Sequence, residues 1–293
     1  RAPGARGRHR RNVDLTRPPG PARCPTLRPV GVRVLGRPAL VGPGGVAEIR
    51  GGRQVALLAL LAAHRGRRVR QDLIVEEIWG GGPVSDATVR VTIRRLRDRF
   101  EAVTGRDPIV SEPQGYRLSL PTDCVDSERF CALVAEARSS RDHGDTQGSA
   151  TLVRASLDLW SGAAFGDAHD LPSIRSEALR LEHVRLDAWE LLAADLIDLG
   201  DLGGALAPLG AVNDADPYRE SAWGLRILAL YRAGQQREAL ATYDRVRRLL
   251  AREIGIEPGR DLVRLERSIL DQEPAAELGF DSVPGRSDPS DGY

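Results

Sequence analysis

The spacing of apolar residues changes along this chain, from mixed strand and helix patterns before residue 122 to a helical pattern after it. The first part contains short apolar runs interrupted by Gly and Pro, which are typical of a small antiparallel sheet. Later runs flank Glu112-Pro113-Gln114-Gly115, a turn that needs its glycine, so we expect a terminal hairpin. The predicted strands cover residues 30–35, 39–41, 47–49, 109–111 and 116–120.

Three helices are predicted between this sheet and the hairpin. The first covers residues 52–63 and is expected to bury one face. The second covers residues 71–79 and ends at a Gly-Gly-Gly-Pro run. A sheet, three helices and a hairpin, in this order, predict a winged helix-turn-helix.

The third helix, residues 85–100, carries an apolar stripe and five arginines in its last eleven residues. At 100° per residue, one face collects Val89, Ile93, Leu96 and Phe100. Arg90, Arg94 and Arg95 cover the opposite side together with Val91, and Arg97 and Arg99 flank the stripe. Such a helix fits a DNA groove or a solvated surface, and its neighbourhood favours the groove.

The half after residue 122 repeats itself with a period of 34 residues. The pairs Trp189/Trp223, Gly200/Gly234 and Ala205/Ala239 are among ten identities in 34 aligned positions. This period, with an order of helix, glycine and Ala-Leu-Ala, is typical of tetratricopeptide-like hairpins, whose concave surfaces bind protein partners. The predicted helices cover residues 126–141, 149–160, 172–199, 203–212, 217–233, 237–254 and 260–270.

Charge separates the same two halves. Residues 1–122 hold 23 Arg against 10 Asp and Glu, a balance of +13, whereas residues 123–293 hold 19 against 31, a balance of −12. A basic half joined to an acidic half indicates one part that binds nucleic acid and one that does not bind it alone. All 42 basic residues are Arg, which excludes a lysine-dependent phosphate loop and Schiff-base chemistry.

No catalytic constellation, cofactor site or metal site is predicted, because the five His are scattered and the three Cys lack metal or redox spacing. The cysteines fit unpaired thiols in a reducing cytosol. The longest apolar run, residues 55–63, is too short to cross a membrane. We therefore expect a cytoplasmic protein that is not an enzyme.

The string from Thr88 to Arg97, followed by Gly115-Tyr116-Arg117-Leu118, resembles the recognition helix and wing of OmpR-type winged helices. In this reading Arg90, Arg94 and Thr92 contact bases, since Arg is the commonest reader of guanine. Gly115, Tyr116 and Arg117 form the wing, with Tyr116 packed on the core. The expected phosphate contacts are Arg95, Arg97, Arg67, Arg68, Arg70 and Gln114.

The motifs Leu159-Trp160-Ser161-Gly162, Asp216-Pro217-Tyr218-Arg219 and Tyr231-Arg232-Ala233-Gly234 extend the likeness. With the winged helix they resemble the SARP family, the AfsR/DnrI/RedD-type activators of antibiotic pathways, in its small two-domain form. The resemblance implies binding to direct repeats in double-stranded promoter DNA, recruitment of RNA polymerase holoenzyme and a homodimer on DNA. The alternative is a tetratricopeptide adaptor whose winged helix does not bind DNA, which the acidic Asp98 and Glu101 favour.

Four segments are expected. Residues 1–29 form a disordered basic extension, and residues 30–122 the winged-helix domain. Residues 123–273 form the helical activation domain, and residues 274–293 a disordered tail.

Overall fold

A computed structural model describes residues 31–280. Residues 1–30, which include the predicted basic extension and Cys24, and residues 281–293 of the predicted tail lie outside the described residues. In the described part of the chain, Cys124 and Cys131 form no disulfide.

The chain begins with a three-stranded antiparallel meander, as the apolar runs predict. The strands are β1 (Gly31–Arg33), β2 (Ala39–Gly42) and β3 (Gly45–Glu48), in the order β1-β2-β3. Val32 pairs with Leu40, and Leu40 with Ala47. Strand β3 begins two residues earlier than predicted because only residues 43–44 separate it from β2.

A winged helix-turn-helix follows, which confirms the predicted fold of this half. Its helices are α1 (Gly52–Ala63), α2 (Gln71–Trp79) and α3 (Asp86–Thr104), and its strands are β4 (Val69–Arg70), β5 (Ile109–Glu112) and β6 (Gly115–Leu118). The short β4, which the sequence pattern did not predict, pairs with β6 and gives a second sheet of order β4-β6-β5. Helix α3 continues one turn beyond the predicted Phe100 and ends at Gly105 in the left-handed conformation.

Helix α1 is buried on more than the one face predicted for it. All seven residues from Leu57 to Ala63 are buried. One side packs on α2 and α3, and the other on the long helix α6 (Pro172–Asp198) and the turn at residues 166–170. An apolar run of this kind is typical of a helix enclosed on all sides, and here it joins the two halves of the chain.

The second half consists of helices, and three antiparallel hairpins confirm its tetratricopeptide-like architecture. The remaining helices are α4 (Asp126–Asp142), α5 (Thr146–Leu157), α7 (Leu202–Ala215), α8 (Glu220–Arg232), α9 (Gln236–Glu253) and α10 (Arg260–Leu270). The hairpins pair α4 with α5, α6 with α7, and α8 with α9, while α10 packs on α8 and α9. The repeat-related Gly200 and Gly234 both end their helices with φ near +80°, where a side chain is strained.

The two halves share one hydrophobic core and a polar contact. The buried carboxylate of Asp126, at the start of α4, accepts the backbone N–H groups of Val34 at 2.8 Å and Leu35 at 3.0 Å. In turn, the backbone N–H groups of Ser161 and Phe165 donate to the carbonyls of Leu35 and Val34. Burial raises the pKa of Asp126 to about 6, although the two N–H donors act in the opposite direction.

Further contacts fix the same boundary. Val32 forms a parallel bridge with Val125, and Glu77 of α2 accepts the backbone N–H of Ser173 in α6 at 3.0 Å. A Cβ atom on Gly31 would lie 2.5 Å from the carbonyl oxygen of Cys124, so the strand and the helical half approach closely. The winged helix is therefore held at several points rather than tethered by a linker.

Buried charges lie between the hairpins of the helical half. The fully buried Glu190 on α6 pairs with Arg219, whose Nε lies 2.6 Å from Oε1, and accepts the Ser221 hydroxyl. Burial raises the pKa of Glu190 to about 7, although Arg219 lowers it in part. Asp195 is likewise buried and is held by Arg141 and the Ser149 hydroxyl.

The chain from Asp271 to Phe280 departs from the prediction of a disordered tail beyond residue 273. Leu278 and Phe280 are buried against the helical half. Phe280 is held because its ring packs in a cavity among the helices. The sequence pattern does not reveal this cavity.

Candidate nucleic-acid interface

Helix α3 presents one face to the core and the opposite face outward. Ser85 caps its N-terminus by accepting the backbone N–H of Thr88. The predicted stripe of Val89, Ile93, Leu96 and Phe100 is buried. Ala87, Arg90, Val91, Arg94, Arg95 and Asp98 are exposed. A 19-residue helix, about 28 Å long, thus carries a basic outer surface.

The three predicted base-contacting residues share this outer part of α3, with different surroundings. Arg90 is exposed, and Arg94 is exposed with its Nε 3.3 Å from Asp98. The half-buried Thr92 donates its hydroxyl to the carbonyl of Thr88, which leaves its oxygen as an acceptor. The Arg94 and Asp98 side chains are 80% and 59% exposed, and such a pair contributes little, so Arg94 can exchange this partner.

Val91 is a feature of this surface whose importance the pattern did not single out. It is 50% exposed at the centre of the outward face, between Arg90 and Arg94 along the helix. An exposed apolar side chain among arginines suits contact with a thymine methyl group. The signal in the sequence was its position opposite the apolar stripe.

The wing is built by β5 and β6, and its turn residues are Pro113 and Gln114. Gln114 has φ +58°, so Gln114 rather than Gly115 adopts the left-handed conformation at this turn. The carbonyls of both turn residues are held: Arg68 donates to Pro113 at 3.2 Å, and the backbone N–H of Gln71 donates to Gln114 at 2.9 Å. The exposed Gln114 side chain therefore stands on a fixed backbone.

Gly115 is needed for a reason other than the turn. It pairs with Arg70 across β4 and β6, and a Cβ atom there would collide with the carbonyl oxygen of Val69. The prediction that the turn requires this glycine is thus corrected, because the close approach of β4 is what excludes a side chain.

We expect Gly115→Ala to lower the free energy of unfolding by about 1–3 kcal/mol, the range for overpacking a tight site. Either β4 or β6 must move, and the wing with it. Thermal or urea unfolding measures the loss. Gly44→Ala is the matched control, because a Cβ atom there meets nothing within 4 Å. Equal stability of the two variants would contradict the proposed role of Gly115.

Two of the predicted phosphate-binding arginines, Arg97 and Arg68, also bond to the wing. Arg97 is half-buried and donates through Nη2 to the Ile109 carbonyl at 2.8 Å and to the Ser111 hydroxyl at 2.9 Å. Its Nε also lies 3.4 Å from Asp107. These contacts fasten α3 to the wing and differ from the phosphate role predicted for Arg97.

Arg68 and Arg117 are engaged in the same way. Arg68 holds the wing turn, and Arg117 of β6 pairs with Glu112 of β5 at 2.7 Å. Tyr116 is buried, in agreement with its predicted place on the core. Arg68 is nevertheless exposed, as are Arg95 on α3 and Arg67 and Arg70 before α2.

Gln71 joins the parts of this surface and was not predicted to matter. Its backbone N–H holds the wing turn, while its side-chain Nε2 donates to Asp86 at the start of α3 at 2.8 Å. One residue therefore fixes the wing and α3 relative to each other. Nothing in a lone glutamine at the start of a helix signals this role in the sequence.

A groove of about 560 Å³ separates α3 from the N-terminus of α1. Arg53 and Gln54 line it on the α1 side, and Thr88, Thr92 and Arg95 on the α3 side. No side chain caps α1 at Gly51, and the start of this helix, Gly51 to Arg53, lines the groove, so unbonded backbone N–H groups lie beside it. Backbone donors at a helix N-terminus beside two arginines suit an anionic phosphate, and sequence reasoning missed them.

The net charge of the winged-helix domain is consistent with a nucleic-acid-binding surface on it. Residues 31–122 hold 15 Arg against 9 Asp and Glu, so the domain is basic even without the N-terminal extension. Within the described range, no group of three or more His, Cys, Asp or Glu side chains is arranged to hold a metal ion. Over residues 31–280, the helices lack the combination of length and apolarity that crossing a bilayer demands.

Two family models match this chain, one on each half. The model described as "Transcriptional regulatory protein, C terminal" matches residues 50–118. The model described as "Bacterial transcriptional activator domain" matches residues 125–270. The boundary between them coincides with the join at Asp126.

Several regulatory proteins are similar to this chain across both halves. Regulatory protein DnrI of Streptomyces peucetius is 30% identical over 78% of this chain and 87% of its own length. Transcriptional regulator RedD of Streptomyces coelicolor is 30% identical over 85% of this chain and 73% of its own. Regulatory protein AfsR of Streptomyces griseus is 36% identical over 74% of this chain, which spans only 22% of that longer protein.

A solved structure has the same arrangement. Mycobacterium tuberculosis EmbR, in complex with a low affinity phosphopeptide, superposes with a TM-score of 0.79 at 29% identity. The match covers 84% of this chain and 66% of that one. The winged helix and the helical half therefore occur together in a related protein.

Proposed function

Because the chain belongs to the SARP family of transcriptional regulators, we propose that it activates transcription by binding promoter DNA in a sequence-specific manner. Members of this family regulate transcription and are not enzymes. The observation that carries the proposal is the outward face of α3, basic, exposed and flanked by a wing that Gln71 and Arg97 hold in place.

In this proposal α3 enters the major groove, with Arg90 and Arg94 at guanine edges and Thr92 at an adjacent base. Arg95 and Gln114 contact phosphates on the two sides of the groove, and Arg67 and Arg70 contact the backbone before α2. The groove beside α1 adds Arg53 to this set. Arg97 and Arg68 act instead as positioning residues, because their guanidinium groups hold the wing.

The direct test is an electrophoretic mobility shift with the full chain. DNA from the promoters around its own gene is compared with random DNA of the same length and base composition at two salt concentrations. We expect tighter binding to the promoter fragments by at least about 10³-fold, the lower bound for specific over non-specific affinity. Equal retention of both DNAs, or of neither, would favour the adaptor function instead.

We expect Arg94→Ala to weaken binding to the operator by about 1–3 kcal/mol, or roughly 5- to 150-fold, and to relax preference at one base pair. Arg95→Ala should weaken all sequences alike and flatten the dependence of affinity on salt. Titration of both variants against the operator and against single-base-pair changes measures the difference. A loss for Arg94→Ala that is uniform across all these DNAs would overturn its assignment to a base.

The finer parts of the proposal concern promoters and partners. The similarity to DnrI and RedD supports regulation of a secondary-metabolite pathway, with two copies head to tail on direct repeats as a homodimer on DNA. The helical half, acidic overall, is proposed to contact RNA polymerase holoenzyme. Such a protein acts in the cytoplasm, where promoter DNA is available.

A further inference from the structure

The helical half has an inner groove that already holds a peptide segment of the same chain. The groove is lined by the first helix of each hairpin, α4, α6 and α8, and leaves a cavity of about 460 Å³. Gly279 and Phe280 enter it after the chain has passed α10. Residues 271–273 close the end of α10 with their backbone N–H groups, and the N–H of Glu277 closes a turn onto Pro274. The chain after this turn has no regular helix or strand and reaches the groove.

The groove contains a seat for one aromatic ring. Phe280 is 7% exposed, and its ring lies directly against the backbone of Gly224 in the middle of α8. A Cβ atom on Gly224 would overlap the ring. Glycine is unfavourable inside a helix by roughly 0.5–1 kcal/mol relative to alanine, so this position gives up helix stability and makes room for an aromatic side chain.

The groove also holds the backbone of the segment. The Tyr231 hydroxyl donates to the carbonyl of Glu273 at 2.7 Å, and Arg232 Nη2 donates to the carbonyl of Leu278 at 2.8 Å. Both donors come from the end of α8, and both bind main-chain oxygens. The Arg232 contact is available to any peptide in the same register, whatever its other side chains, whereas the Tyr231 contact holds a residue that also closes α10.

The arginines of the groove are already paired within the chain. Arg138 pairs with Asp187, Arg141 with Asp195 and Asp198, and Arg232 with Asp198. Both glutamates of the segment, Glu273 and Glu277, are exposed. The groove therefore recognises the aromatic ring and the main chain rather than charge.

We propose that this groove is a binding site for short peptides anchored by a phenylalanine, and that the segment ending at Phe280 occupies it in cis. A segment of the same chemistry on a partner protein binds by displacing Phe280. This inference does not rest on DNA binding, and its test contains no DNA.

The test uses a fluorescent synthetic peptide of residues 272–282 and the full chain carrying Phe280→Ala, which empties the seat without altering it. Fluorescence anisotropy should show at least about 10-fold tighter binding to this variant than to the unaltered chain, whose own Phe280 competes. The same peptide with alanine in place of phenylalanine should not bind. Absence of peptide binding to a folded Phe280→Ala chain would overturn the proposal.

Two glycine substitutions distinguish the loss of space for the phenylalanine ring from a general effect of alanine on the helices. The double variant Gly224→Ala with Phe280→Ala should lose the peptide, because the new methyl group fills the seat. Gly210→Ala with Phe280→Ala should keep it, because a Cβ atom at Gly210 meets its nearest neighbour, in Arg226, at 3.8 Å. Equal peptide binding by the two double variants would also overturn the proposal.

A second measurement remains valid if Phe280→Ala unfolds the chain. In the single variant Gly224→Ala, hydrogen exchange at the backbone amides of residues 277–280 should accelerate at least about 10-fold, while Gly210→Ala leaves it unchanged. Unchanged exchange in Gly224→Ala would show that Phe280 does not depend on this seat.

Discussion

Replacing Asp126 by alanine is expected to lower the free energy of unfolding by about 2–6 kcal/mol, among the largest effects of any single substitution outside the apolar core. The carboxylate is fully buried and is the acceptor for the backbone N–H groups of Val34 and Leu35. Each buried donor left without an acceptor costs about 1–3 kcal/mol. Urea unfolding followed by circular dichroism measures the loss.

The effect of Asp126→Ala should depend on pH in a defined direction. The pKa of this carboxyl is raised to about 6 in the folded chain from an ordinary 3.8. The folded state therefore binds the proton more tightly than the unfolded state, and the contribution of Asp126 to stability falls as pH rises from about 4 through 6. The difference between the unaltered chain and the variant should be larger at pH 4.5 than at pH 7.

Asp145→Ala provides the comparison. Asp145 also accepts a backbone N–H, from Gly148 at 2.8 Å, but it is an exposed cap at the start of α5. Its loss should cost about 1 kcal/mol. Equal losses for the two aspartates would show that the contact between the halves is no stronger than an ordinary helix cap.

Arg219→Ala is the second substitution with a large expected effect. It removes the cation beside Glu190, which is fully buried, and breaking a buried pair from one side costs about 3–5 kcal/mol. The cost should be greatest above pH 7. Because the pKa of Glu190 is already about 7, at lower pH the carboxyl takes up a proton and no longer needs the arginine. Unfolding in urea at pH 6 and pH 8 measures this difference.

Two further variants test whether the unpaired charge of Glu190 causes the loss of stability. The first is the double variant Glu190→Gln with Arg219→Ala. Because glutamine keeps an oxygen for the Ser221 hydroxyl and removes the charge, this variant should recover part of the stability lost in Arg219→Ala. Arg237→Ala removes an arginine that is 91% exposed beside Glu238, and it should change stability by less than about 1 kcal/mol. If the double variant is no more stable than Arg219→Ala at pH 8, the buried charge is not the source of the loss.

Periodicity alone predicted the order of the helices, but it placed both ends of α5 (Thr146–Leu157) three residues too late and did not reveal the enclosure of α1. The bounds of α1, α2 and α10 agree with the pattern because each ends at a glycine, a change of period or a polar run. The pattern predicted one buried face for α1, whereas Leu57 to Ala63 are buried all round. The second burying surface comes from α6, more than a hundred residues later, and no local pattern contains it.

The candidate interface was predictable in outline, and the roles of its arginines were not. Helical spacing separates the buried stripe of α3 from Arg94 and Arg95, which the structure exposes. Arg97 and Arg68 differ from them only in their partners, the Ile109 and Pro113 carbonyls. These partners depend on how the wing folds back, so arginine content gives no means of distinguishing an arginine that bonds to the wing from one that does not. The burial of Phe280 was not predictable either, because the space for its ring exists only where Gly224 has no side chain.

The shared core between the halves has a consequence for promoter geometry. Val34 and Leu35 bound to Asp126, and α1 packed against α6, join the two halves through buried contacts. We therefore expect the helical half to keep one orientation relative to the winged helix. In the proposed binding mode the winged helix follows the turn of the duplex, about 34° for each base pair. The side of the duplex on which the helical half lies is then set by the distance between the operator and the polymerase site. Inserting five base pairs between them moves the helical half to the opposite side of the duplex from a bound polymerase.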